Sequence, residues 1–325
     1  MKLLLLIIIL HCVPLAAAAQ GNVYALIVSG GRSKLYNHER YWNDCALIYR
    51  ALRQTYQVPK ERITLLMADG DNPAEDLLLD QAAGFASTPT DLDGDGKADL
   101  RLAATSDNLR NVLSELSLQL TPSDHLFIFI ANHGLRSTEG DGTLLLWGND
   151  RMSSRQLGDL LRPLRAGSVN VLIGSCHSEA FMAGLQAERR IITTACSADE
   201  LSWSCPDRPY DEFIYHWACA IARHDEQGNA VDADTNGDGH VSMLEAYYYA
   251  QRHDRRPETP CLWAAPQQLA DQWTFGGLLG QEAGIGRLQS EDNPPRHTYD
   301  LLGRPADTHS RKGIYLRNGK IVLNP

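Results

Sequence analysis

Two apolar runs in this 325-residue sequence stop on side chains that could do chemistry together. In "HLFIFIANHGL", His125 to Leu135, the run leads through Ala131 and Asn132 to His133 and Gly134. In "VNVLIGSCHSEAF", Val169 to Phe181, it leads through Gly174 and Ser175 to Cys176. A free thiol, with a pKa of about 8.5, is mostly protonated at neutral pH; a nearby imidazole can favour the thiolate or supply a proton to a leaving group. Such a pair suits acyl transfer from a peptide bond. Gly134 adds a backbone N–H that can approach a developing oxyanion, with the N–H of Cys176 as the natural second donor. Taken singly, a His-Gly is an ordinary turn and a Cys an ordinary small hydrophobe.

The elements that must carry these residues can be read from the same runs. Unbroken apolar strands are the pattern of a parallel sheet covered on both faces, and open α/β sheets place their chemistry at the carboxyl ends of the strands. "VYALIVSG" (Val23 to Gly30), "RITLLM" (Arg62 to Met67) and "RRIITTACS" read as further strands. Helices are expected from about Tyr41 to Tyr56, with Cys45, Ile48, Leu52 and Tyr56 on one face, and from a cap at Ser106 or Asp107 through Leu109, Val112, Leu113 and Leu116. A hairpin is expected around "EGDGTLLLWG", followed by a helix from Ser153 or Ser154 to Leu164. The alternation gives an α/β fold, a mostly parallel sheet flanked by helices. One crossover separates the histidine and cysteine strands, so they are expected side by side, with imidazole and thiol across one cleft.

Composition narrows the partners. The formal charge of -10 disfavours nucleic acid and anionic membrane, which need a basic surface. Residues 1–19 read as a secretory signal: Lys2, an apolar core from Leu3 to Leu10, and small residues from Ala16 to Ala19. That core falls short of the roughly 20 residues a membrane span requires, so no transmembrane anchor is expected after cleavage. A lipoprotein signal with Cys12 acylated fits poorly, because Leu10-His11 precede it. Six cysteines follow the signal, Cys45, Cys176, Cys196, Cys205, Cys219 and Cys261; export permits some to pair, and the pairing is open. Residues 20–287 form the main domain, the polar double-proline stretch 288–297 a linker, and 298–325, dense in strand and turn signals, a short β appendix.

Two aspartate-rich loops have calcium-ligand spacing. "DTNGDGHVSMLE" fits the EF-hand loop, with Asp234, Asn236, Asp238 and Ser242 as oxygen ligands, the carbonyl of His240, Gly239 at the turn, Glu245 as bidentate closer and a helix after it. The loop 91–102 repeats the opening with Asp91, Asp93, Asp95 and Asp99, but Leu102 stands where the closing glutamate belongs. Structural Ca2+ is therefore the expected cofactor; neither spacing suits zinc.

The residues so assembled resemble the legumain (asparaginyl endopeptidase) family, within the caspase and gingipain clan of cysteine peptidases. "NHG" and "GSC" match the clan's two strand ends. "LYNHERYWNDC" resembles the family's Tyr-Asn segment before a cysteine-bearing helix, and "ITTACSADELSWSC" its Thr-Thr-Ala strand and the segment after it, with Trp203 and Cys205 in register. The resemblance spans roughly Asn22 to Trp273. It implies a caspase-like three-layer sandwich and a secreted endopeptidase acting on peptides or proteins. Cys176 would be the nucleophile, His133 would handle protons, and Asn37 would orient the histidine. The family recognises Asn, sometimes Asp, through an arginine and two acidic residues. By counting, Glu39 takes the arginine's place with Arg40 one step on, Gly174 replaces one acid, and the other lies at Asp211 or Glu212. Ser202 and Trp203 complete the candidate substrate contacts. Cleavage beside a basic residue is equally open. The tail resembles sorting domains that pass proteins to type IX secretion machinery. A catalytically silent, calcium-stabilised binding module and a transpeptidase are the competing readings.

Overall fold

The computed structural model describes residues 21–79 and 84–279, and the backbone of three short strands between 298 and 324. The six strands of the central sheet are β1 (Val23–Ser29), β2 (Ile63–Met67), β3 (His125–Ala131), β4 (Ser168–Gly174), β5 (Arg190–Thr194) and β6 (Cys261–Ala265). Their order is β6-β5-β4-β3-β1-β2. All neighbours run parallel except β6, which is antiparallel to β5. The apolar runs do not announce β6. Its residues are all half-buried, and Pro260 and Pro266 bracket it, as suits an edge strand.

Five longer helices cover the sheet: α1 (Glu39–Arg50), α2 (Ser106–Gln119), α3 (Ser154–Leu161), α4 (Glu212–Ala222) and α5 (Met243–His253). The period-2 alternation of strand side chains divides the interior into two layers. Ile27, Phe127, Phe129, Leu172 and Ile191 pack with Tyr41, Cys45 and Ile48 of α1, Phe213 and Trp217 of α4, and Met243 of α5. Leu26, Val28, Ile128, Ile130, Val171 and Ile192 pack with Leu109, Val112 and Leu113 of α2 and Leu157 of α3. Helices, sheet and helices make the three-layer sandwich that the resemblance implied.

Local chemistry sets the helix starts. The cap of α2 is Thr105, one residue earlier than expected, whose hydroxyl accepts from the N–H of Asn108. Ser153 and Gln156 form a reciprocal capping box on α3. Helix α1 runs on into a wider π-helical turn over Ala51–Thr55. The expected hairpin gains a third strand, since Gly142–Leu146 pairs with both Gly134–Arg136 and Asp150–Ser153.

The chain divides into two compact units, Ala19–Gln281 and a second made of Met1–Ala18 with Glu282–Pro325. In the second, Thr298–Asp300, Gly313–Arg317 and Lys320–Asn324 form an antiparallel three-stranded sheet. The expected signal at 1–19 and the expected linker at 288–297 lie outside the described residues. Among the described residues no helix is long and apolar enough to cross a membrane.

Candidate active site

Register brings the two reactive side chains to the same edge. Ala131, the last residue of β3, pairs with Gly174, the last of β4, and with Ser29, the last of β1. His133 and Cys176 each lie two residues beyond that paired level, so both leave the sheet at its carboxyl end from adjacent strands. Gly134 packs on the nucleophile turn. A Cβ there would fall 2.3 Å from the carbonyl oxygen of Cys176 and 2.6 Å from Ser175 Oγ, so only glycine permits this approach. His177, directly after the thiol, is held in the left-handed region at φ 57°.

His133 stands in an aromatic box. The rings of Tyr36, His38 and Tyr41 meet it edge-on at 5.8, 5.6 and 5.5 Å. Its Nε2 lies 3.0 Å from the carbonyl oxygen of Tyr36, and the Tyr41 hydroxyl is 3.4 Å from both ring nitrogens. Burial, reinforced by His38 and by Arg40 and Arg32, pushes the imidazole down to about 4. Cys176 donates to the carbonyl of Ser202 at 3.9 Å, and burial pushes its thiol up. Among the described residues no hydrogen bond joins thiol and imidazole. Both are therefore neutral at rest.

The expectation for Asn37 requires correction. Its buried amide donates to the Asp76 carbonyl at 2.9 Å and towards Thr88 Oγ1 at 3.5 Å, so it ties two loops together and does not reach the imidazole. The group that holds the ring is the neighbouring backbone carbonyl of Tyr36, which no residue-type pattern could reveal.

Arg40, and not Glu39, supplies the cation beside the thiol. Its Nε is 2.8 Å from Asp211 Oδ1, and its charge bears on both Cys176 and His133. Asp211 is fully enclosed and lies against Asp44, whose carboxylate accepts from the Asp211 N–H at 3.3 Å. Burial and the Asp211 charge push Asp44 well above the usual carboxylate range; burial raises Asp211 as well, against the opposing pull of the Arg40 guanidinium. Arg40 and Asp44 sit four apart on α1, a spacing that puts them on one face. Glu39 occupies the first helical position. Glu212 turns elsewhere, to Arg255 Nε at 2.7 Å. An acid at position 174 has no room: a Cβ on Gly174 would lie 2.6 Å from Ile214 Cγ1 of α4. Beyond Arg40 a cleft of about 360 Å³ opens, lined by Ser204 and the turn from Cys205 to Pro209. Trp203, next to Ser204 in sequence, is exposed, and its backbone N–H donates to Glu258 at 3.0 Å.

The six cysteines among the described residues, Cys45 to Cys261, are free thiols. The aspartate loops behave unequally. Asp91, Asp93 and Asp99 bring carboxylate oxygens within 4.8 Å of one another, a donor set of the hard kind that Ca2+ takes. Lys60 Nζ stands 2.5 Å from Asp99 and Arg53 3.7 Å from Asp93, cations where a metal ion would compete. Asp95 accepts from the Lys97 N–H. In the second loop Asp234 accepts from the N–H groups of Gly237 and Gly239, Asn236 from Asp238, and Asp238 from His240, so the loop is folded as its spacing indicates. Glu245, however, turns both oxygens to Thr235, Asn236 and the Ser242 cap of α5.

The Peptidase C13 family model matches residues 23–236, which carry β1 to β5, α1 to α4, His133, Cys176, Arg40 and Asp211. The chain belongs to the Peptidase C13 family. As a C13 chain it is 22% identical over 233 residues to legumain of Bos taurus, covering 66% of this chain and 52% of that protein. It is 22% identical over 217 residues to legumain of Homo sapiens, covering 62% and 48%. The vacuolar-processing enzyme beta-isozyme 1 of Oryza sativa subsp. japonica is 27% identical over 231 residues, covering 61% and 43%. This C13 chain spans about half the length of the curated relatives it matches.

Proposed function

We propose that the protein is a cysteine endopeptidase working through a Cys176–His133 dyad. The observation that carries this is the matched register of β3 and β4, which sets the two side chains equally far beyond one sheet edge. In the reaction His133 takes the thiol proton as sulfur attacks the scissile carbonyl carbon. The N–H groups of Gly134 and Cys176 face the developing oxyanion. His133 then returns the proton to the departing amine, leaving a thioester that water hydrolyses.

The recognised side chain is Asn or Asp in this reading. A carboxamide has both an acceptor and donors, and the Arg40–Asp211 pair offers a guanidinium to the first and a carboxylate to the second. Cleavage profiling of a peptide library with Asn, Asp, Arg and Lys varied at the scissile residue tests it, with Cys176→Ala as control. Unchanged cleavage by Cys176→Ala would refute the nucleophile, and a preference for Arg or Lys would refute the pocket.

Structural Ca2+ in the aspartate loops belongs to the same reading, supported by the oxygen-only donors; bound at Asp91, Asp93 and Asp99 it would displace Lys60. Export rests on the sequence pattern of residues 1–19 and 298–325. Deleting either segment and assaying the culture medium for the protein tests it.

A further inference from the structure

The loop after α5 closes on the segment that flanks the thiol. Glu258 accepts from the Trp203 N–H at 3.0 Å. Arg256 Nε donates to the Ser204 carbonyl at 2.7 Å, and its guanidinium lies 6.0 Å from the centre of the Trp203 ring. Thr259 donates its N–H and hydroxyl to Glu200 at 2.8 and 3.0 Å. On its other side the segment presents the Ser202 carbonyl to Cys176 Sγ, and its Trp203 carbonyl accepts from the Glu212 N–H at 2.9 Å. The family match ends at residue 236, before any of this loop.

We propose that Glu258 is a positioning residue, which holds Ser202–Ser204 against Cys176 through the Trp203 N–H while sharing one proton with Asp254. The proposal rests on the dyad reading above.

The shared proton follows from two oxygens. Glu258 Oε1, Asp254 Oδ2 and the Ser202 hydroxyl are all buried and have no hydrogen-bond partner among the described residues, and Glu258 interacts both with Asp254 and with the Ser202 hydroxyl. Two ionised carboxylates so placed would repel, whereas one proton between them satisfies both oxygens. Burial, with Asp254 next, pushes Glu258 up to about 9, and burial pushes Asp254 up to about 6. The charged and titratable groups facing the pair are Arg256 on the same loop, Asp211 and Glu212 at the start of α4, and Cys176 and Cys196 beyond β4 and β5. Asp211 and Glu212 oppose ionisation and Arg256 favours it. The pair keeps its proton at neutral pH and loses it in alkali, where two adjacent charges loosen the grip on Trp203.

Glu258→Gln, Glu258→Ala and Asp254→Asn in the full chain test this by two readouts. One is hydrogen exchange of the amides of residues 201–205, followed by mass spectrometry; the other is steady-state cleavage of a peptide the parent accepts. Glu258→Ala is expected to speed exchange at Trp203 and lower kcat/KM, each about tenfold, as fits one lost buried hydrogen bond. Glu258→Gln retains a carbonyl for Trp203 and gains an N–H for Asp254, so both readouts stay within about twofold at pH 7. Glu258→Gln and Asp254→Asn both lose the parent's decline near pH 9. Parent-like exchange in Glu258→Ala overturns the proposal, as does an alkaline decline that survives in Glu258→Gln. Should Glu258→Ala not fold, Glu258→Gln decides. If the parent cleaves no peptide, the dyad reading falls and exchange alone decides the role of Glu258.

Discussion

The imidazole Nε2 of His133 faces the carbonyl oxygen of Tyr36 at 3.0 Å. A carbonyl can only accept, so the proton of the neutral ring sits on Nε2 and Nδ1 keeps the lone pair that a base needs. The sequence pointed to a side chain, Asn37, for this task; a main-chain oxygen one residue earlier performs it.

The pH profile should reflect the depressed imidazole. Since burial holds His133 at about 4, the base form is present above that value and lost below it. The acid limb of kcat/KM is therefore expected near pH 4, not near the 6.5 of a solvated imidazole. The stability sign agrees: between those values the unfolded chain binds more protons at this residue, so folding weakens as pH falls from 6.5 towards 4. An acid limb at 6 or above would contradict the buried neutral ring.

Asn37→Ala should act on stability and not on chemistry. Loss of the bond to Asp76 is expected to cost about 1–3 kcal/mol in urea unfolding. The acid limb should not move, because the Tyr36 carbonyl still holds the ring.

Gly134→Ala should do the reverse. The added methyl would meet the Cys176 carbonyl at 2.3 Å, displacing the nucleophile turn and an N–H that faces the oxyanion. A fall in kcat of about a hundredfold is expected, with a retained circular-dichroism spectrum as the control.

Arg40→Ala should leave Asp211 enclosed without its cation. Destabilisation of roughly 3 kcal/mol is expected, visible in urea melts and larger than for Glu39→Ala, since Arg40 is the partner of Asp211.

Calcium should raise the melting temperature and EDTA lower it. Because Lys60 stands 2.5 Å from Asp99, Lys60→Ala is expected to tighten Ca2+ binding, read by isothermal titration. Unchanged melting with chelator, in parent and variant alike, would remove the ion from the account.

How much of this was legible depends on where the information lies. Buried parallel strands must be apolar on both faces, so β1, β3 and β4 show as unbroken runs, and with them the edge that carries His133 and Cys176. The strand β6 is short, half-buried and bracketed by prolines, so its composition carries no such signal. Arg40 was offset by simple counting, and its bond to Asp211 joins residues 171 apart in sequence, which no local spacing encodes. The Tyr36 carbonyl and the Glu258 contact to the Trp203 backbone have no residue-type signature at all. At Glu245 the spacing of a closing ligand is present, while one oxygen accepts from Thr235 and Asn236 of the loop and the other from the Ser242 cap.

Pairing Ala131 with Gly174 in adjacent strands has an evolutionary corollary. The two reacting atoms are anchored independently of the polypeptide that joins them, so the exposed turn from Ser137 to Asp141 can lengthen or shorten without disturbing either. Insertions among homologues should collect there, while a single-residue deletion inside either strand would rotate its reactive end to the wrong face.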